Sequence, residues 1–347
     1  MRYALIGLAL RTISSTGIDR IGGKRFAGIG VILTFHHVRV ASDRVFPQNA
    51  LLEVTPAYLE AVLRLLADLD YEIIPIDHVK SRIEEPRGKP FAVITFDDGY
   101  IDNRDYAMPI LKRYEAPFTV FVTPGFLDRT TPLWWLDLED ALRDRDEIDV
   151  MLPHTRFRHV TRTPKEKQAG FARFYWELRG LSEFQVREIV ATLAAEAGVD
   201  TIGRVARLCM DWPMLKDFAR EPLVTIGAHT NTHPRLKTLT EDQSREEIFT
   251  SKSRIEQELQ REVKHFAYPV GDPTSAGRRE FAFAAEAGCV TGVTTRPGVV
   301  FPEHAGHLHA LPRISVNGLF QNPDYLRALI AGLPLMLRNR GRRLNVD

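Results

Sequence analysis

The 347-residue chain has only two cysteines, Cys209 and Cys289, far apart and in no CxxC arrangement, which excludes a disulfide framework and a thiolate metal or redox motif. Both read as buried small hydrophobes. It has no excess charge of one sign: 46 Lys and Arg against 45 Asp and Glu leave a formal +1, so no global field recruits nucleic acid and no such partner is expected. It also lacks internal repeats and low-complexity segments, and the apolar run at 3–10 is too short to span a bilayer. What is present is 44% hydrophobic and 26% charged residues, the composition of a soluble globular protein with a large core. Eleven histidines stand out, because imidazole is the commonest side-chain metal ligand and titrates nearest neutral pH.

At the N-terminus, Arg11, Asp19 and Arg20 follow the apolar run without a small-x-small cleavage pattern, so 1–30 reads as a short amphipathic segment rather than a secretion signal. The basic tail, 326–347, carries Leu333 to Leu337 ahead of Arg338, Arg340, Arg342 and Arg343. Peripheral contact of these basic termini with an anionic membrane is one reading; docking of the apolar residues on the core with solvated arginines is the favoured one. The expected location is cytoplasmic or peripheral to the inner membrane. Oligomeric state is not legible.

Apolar, β-branched runs at 31–35, 91–96, 118–122, 223–226, 265–268 and 290–294 read as buried parallel strands. Helical patterns lie between them at 56–69, 106–114, 241–259 and 278–287; on the first of these Leu59, Val62, Leu63 and Leu66 share a face. The alternation argues an α/β chain closed into a (β/α) barrel, with chemistry on the loops after the strand C-termini. It breaks at about 126–221, which reads as a helical insertion, either shaping substrate access or forming a subdomain with its own aromatic core. Trp134 and Trp135 within it would stack on a sugar or anchor the insertion to the barrel.

Three strand-end runs carry the candidate chemistry. Thr95-Phe96-Asp97-Asp98-Gly99-Tyr100 presents two adjacent carboxylates, which repel unless a cation or proton intervenes; one could bind metal while its neighbour acts as base. Gly227 to Pro234 contains His229 and His233, four apart and able to reach one ion if the segment makes a helical turn; the alternative is a loop in which Thr230 and Thr232 cap backbone groups. With Asp98 they form a two-nitrogen, one-carboxylate set that leaves positions open for water and substrate. His36 and His37 end the first strand, where alternation lets only one face the barrel centre. Weaker signals are Phe266 to Gly271, whose backbone N–H groups near Gly271 could meet an oxyanion, and Leu311-Pro312-Arg313-Ile314, an apolar frame around one arginine.

The order and placement of these runs resemble the polysaccharide deacetylase family, carbohydrate esterase family 4 or NodB-homology domain, over roughly 31–313. Thr95 to Tyr100 is similar to its Thr-Phe-Asp-Asp-Gly run and His229 to His233 to its His-Ser/Thr-x-x-His run. The resemblance implies a distorted (β/α) barrel at 31–325 with the insertion at 126–221. It also implies Asp97 as general base, and Asp98, His229 and His233 as ligands of a divalent ion, zinc first, with cobalt or nickel compatible. The chain departs from the family at Ala267-Tyr268-Pro269-Val270, where an Arg-x-Pro-Tyr run is common; Arg313 would supply the lost charge and the Val270 N–H an oxyanion contact. No Leu-x-His run is evident near the C-terminus. Ile32 to Val38 resembles the branch whose acid comes from the first strand, which assigns the general acid to His36, ahead of His37 and His309. The implied activity is removal of N-acetyl groups from an N-acetylated glycan, a neutral substrate that needs no steering field. Alternatives are a same-fold hydrolase of another amide or acetyl ester, and a non-catalytic carbohydrate-binding homologue.

Overall fold

The computed structural model describes residues 7, 11–12, 24–41, 44 and 46–346. Most of the expected N-terminal amphipathic segment therefore lies outside the described residues; a short helix, Lys24–Ala27, stands near its end.

Seven parallel strands close on themselves: β1 (Gly30–Phe35), β2 (Phe91–Phe96), β3 (Phe118–Val122), β4 (Val224–Ala228), β5 (His265–Ala267), β6 (Thr291–Pro297) and β7 (Leu311–Ser315). Their order is β1-β7-β6-β5-β4-β3-β2, and β2 pairs with β1 from Gly30↔Phe91 to Phe35↔Phe96, which completes the barrel. Helices ring it, as expected for βα units. The first long one, Pro56–Asp68, buries the predicted Leu59, Val62, Leu63 and Leu66 and is capped by Thr55, whose side chain accepts from the Tyr58 N–H.

Alternation along each strand sorts the side chains into two populations. Val31, Leu33, Phe35, Ala92, Ile94, Phe96, Val224, Ile226 and Ala228 pack outward in the main core, whereas Ile32, Val93, Phe121, Ala267, Val293 and Leu311 belong to a separate inner cluster. Gly227 faces that interior: a Cβ there would come within 2.4 Å of the Phe121 ring. Continuing the inward period of two past the apolar layer places Thr34 and His36, Thr95 and Asp97, Arg313, and His229 at the mouth where the strands end.

The seventh strand was not among the expected ones. Pro312 lies inside it and Pro297 ends its neighbour, and the β6–β7 register shifts between Val293↔Leu311 and Pro297↔Arg313. Two residues without an N–H at an irregularity blur the strand pattern.

The insertion is not wholly helical, which corrects the sequence expectation. Helices Trp134–Arg143, Pro164–Arg179, Glu183–Glu196 and Thr201–Leu208 enclose an antiparallel hairpin, Glu147–Met151 with Arg156–Val160. Ile148 and Phe157 point inward while Arg156–Asp149 and Arg158–Glu147 pair on the outer face. Its aromatic core, including Trp134, Trp135, Phe171 and Phe174, is distinct from that of the barrel and ends at Cys209; Leu215 and Phe218 already pack with the barrel. Cys209 and Cys289 are both buried and unpaired. In the tail Leu335 is buried, Leu337 is exposed and Arg343 pairs with Glu303 at 2.9 Å. Among the described residues no helix is long and apolar enough to cross a membrane.

Candidate active site

Asp97 is the first residue beyond β2 and its backbone N–H donates to Phe35 O at 3.0 Å, tying the ends of β1 and β2 together. Its carboxylate is buried and gripped by Arg313, Nη1 to Oδ1 at 2.7 Å and Nη2 to Oδ2 at 2.6 Å. This two-point, charge-assisted contact fixes Arg313 against Asp97. Arg313 is itself oriented by Thr294 O at 2.8 Å and Thr95 Oγ1 at 3.2 Å. Burial alone would raise the Asp97 pKa; Arg313, with the nearby His229 and His36, outweighs it and holds the carboxyl below its usual value.

Asp98 departs from strand alternation, its backbone entering the left-handed region at φ 73°, followed by Gly99 at 69°. His229 and His233 reach it, Nε2 at 3.5 and 3.3 Å from Oδ1. They converge through a non-helical turn: Thr230 and His233 both have positive φ, and Thr230 Oγ1 accepts the His233 N–H at 2.9 Å. The capping reading of this loop holds for Thr230, whose hydroxyl also donates to His229 O, and not for Thr232, whose N–H and hydroxyl donate to the Glu247 carboxylate at 2.8 and 2.6 Å.

The donor set fits a cation. The His229 Nδ1–H donates to Ala267 O at 2.7 Å, which leaves Nε2 as a lone pair facing the Asp98 carboxylate, and Asp98 Oδ1 is buried without a hydrogen-bond partner among the described residues. Among the described residues these three form the one group of His, Cys, Asp or Glu that could hold an ion, with ligand atoms within 4.8 Å of one another. Burial pushes the Asp98 pKa up, but contacts with His229 and His233 bring it well below the usual range.

His36 lies on the inner side, Nε2 4.0 Å from Asp97 Oδ2, and His37 on the outer. Burial lowers the His36 pKa, against the opposing pull of Asp98 and Asp97. The two reserve candidates are engaged elsewhere: His37 Nδ1 donates to Asp102 at 2.6 Å, and His309 Nε2 meets Cys289 O at 2.8 Å, before the β6 and β7 strands begin, at the other end of the barrel. Val270 is joined to the cluster by no hydrogen bond among the described residues. It has φ 60° at the centre of a three-residue turn closed by Gly271 N–H to Pro269 O.

Trp135 and Phe126 were not foreseen as walls of the site. Their rings stand 4.8 and 5.6 Å from that of His233. Trp134 and Trp135 are 7% and 8% exposed, so they anchor the insertion and offer no sugar platform. Their adjacency was the only signal in the sequence.

The polysaccharide deacetylase family matches residues 84–285, more than half of the chain and a span that includes the Asp97, Asp98, His229 and His233 positions. The chain belongs to this family. The deacetylase is similar in fold to the Streptococcus pyogenes deacetylase PplD in complex with acetate, at 20% identity and a TM-score of 0.57, covering 86% of this chain and 97% of that one. It is also similar to IcaB from Ammonifex degensii, at 15% identity, TM-score 0.55, and coverage of 87% and 97%. The Bacillus anthracis protein BA0330 gives 15%, 0.55, and 86% and 68%. No curated protein sequence matches the chain significantly.

Proposed function

We propose that this deacetylase is a metal-dependent hydrolase that removes N-acetyl groups from the amino sugars of an oligo- or polysaccharide. The observation that carries the reading is the pairing, at one barrel mouth, of an ionised Asp97 clamped by Arg313 with a separate Asp98, His229, His233 cluster of acceptor atoms.

A divalent ion held by Asp98, His229 and His233 would supply Lewis acidity toward the acetyl carbonyl and the attacking water. Zinc is the first choice for two imidazoles and a carboxylate, and cobalt and nickel suit the same set. Asp97 accepts the proton of the attacking water. Arg313 takes up one lone pair on each of its oxygens, leaves the others, and keeps the group ionised as a base must be. His36, beside Asp97, donates a proton to the departing sugar nitrogen. Its buried setting favours the neutral ring, so the protonated form gives its proton up readily. The C–N bond breaks, the free amine leaves and acetate remains. The Val270 N–H, which has no internal acceptor among the described residues, serves as a second donor to the developing oxyanion.

The intact clamp on Asp97 favours catalysis over a binding module that has lost it. The test pairs variants with substrates. Asp97→Asn should abolish acetate release with metal content unchanged, and His229→Ala should lose both; normal turnover by Asp97→Asn removes it as base. N-acetylated chitooligosaccharides should release acetate faster than acetylated xylan, and the reverse order favours the ester-hydrolase alternative.

A further inference from the structure

Two polar side chains behind the site take no part in the chemistry above. Asp102 accepts on one oxygen from His37 Nδ1 at 2.6 Å and on the other from the Val38 N–H and Asn103 Nδ2, both at 3.1 Å. Asn103 Nδ2 also donates to the carbonyl of His36 at 2.7 Å. The His37 ring, 1% exposed, lies 3.6 Å from the ring of Tyr100. His36 is therefore held through its own carbonyl and through the next residue's side chain, while its imidazole stands 4.0 Å from Asp97.

This arrangement is costly as a packing device. His37 Nε2 and Asn103 Oδ1 are buried without hydrogen-bond partners among the described residues, each at about 1–3 kcal/mol. What the polar groups give instead is direction. Asp102 and Asn103 stand at the start of a π-helical turn, Asn103–Ala107, only a few residues beyond Asp97, Asp98 and Gly99. One short stretch of chain thus carries Asp97 and grips the backbone of His36.

We infer that Asp102, Asn103 and His37 form a latch that registers the His36 imidazole against Asp97 and the leaving nitrogen, making them positioning residues for proton donation. The inference rests on His36 being the proton donor. A mispositioned acid harms departure of an amine, which must be protonated, far more than departure of a 4-nitrophenolate, which leaves as an anion.

The experiment compares an N-acetylated chitooligosaccharide with 4-nitrophenyl acetate for wild type, His36→Ala, Asp102→Asn, Asn103→Ala and His37→Gln, with metal content and melting temperature measured on each. Asp102→Asn keeps the side-chain shape, so the comparison survives if Asn103→Ala folds poorly. The latch predicts that kcat for the amide falls at least about tenfold in Asp102→Asn and Asn103→Ala, with KM within about twofold, metal retained and the aryl ester rate within about threefold, the same pattern as His36→Ala. Equal losses on both substrates, or no loss, while His36→Ala discriminates between them would overturn the latch alone. A His36→Ala enzyme that treats both substrates alike would overturn His36 as donor, and the latch with it.

Discussion

Arg313 reaches Asp97 from a different strand of the barrel. Arg313 is fully buried, and its guanidinium holds both oxygens of the Asp97 carboxylate. Its effect on proton affinity has a definite sign. Burial raises the Asp97 pKa and Arg313 is the first of the groups that pull it down, so Arg313→Gln should raise it and leave more of the base protonated at neutral pH. The acid limb of the kcat/KM profile should move to higher pH, with the deficit, about 10²–10⁴-fold near neutrality, shrinking as pH rises. A parallel loss at every pH would show that Arg313 does not tune the base. The same depressed pKa contributes stability above the ordinary carboxylate range that is lost as pH falls through the folded value of Asp97.

At the scale of elements, the insertion is bolted to the histidine loop. Arg235, two residues beyond His233, pairs with Glu183 in a buried contact and donates to Arg179 O and Leu181 O at 2.6 and 2.8 Å, bridging two insertion helices. Arg235→Ala leaves Glu183 buried and unpaired and should cost about 3–5 kcal/mol of stability, read by denaturant unfolding. It should also weaken metal binding by loosening His233; unchanged stability would mean the insertion is not docked through this pair. Such long-range contacts were illegible in the sequence, because nothing in Glu183 or Arg235 marks a partner 52 positions away. What was legible depended on period and local chemistry. Buried runs gave six of the seven strands, and alternation past β1 separated His36 from His37. The seventh strand was masked by Pro312, the hairpin by its charged outer face, and the turn that joins His229 to His233 by backbone angles that residue type does not announce.

For the whole molecule, closure of the barrel is what makes distant residues one site. His36, Asp97, His229 and Arg313 come from β1, β2, β4 and β7, and each arrives at the mouth because its strand keeps the same inward period. At that mouth Asp98 Oδ1 is buried with no hydrogen-bond partner among the described residues. The central claim, that this cluster binds an ion on which deacetylation depends, is tested most directly by titrating metal-free protein with zinc while following bound metal and acetate release from an N-acetylated chitooligosaccharide together. Acetate release should be absent without metal, rise in proportion to occupancy up to one ion per chain, and be lost with that ion in Asp98→Asn. Undiminished acetate release from the metal-free protein would contradict the account.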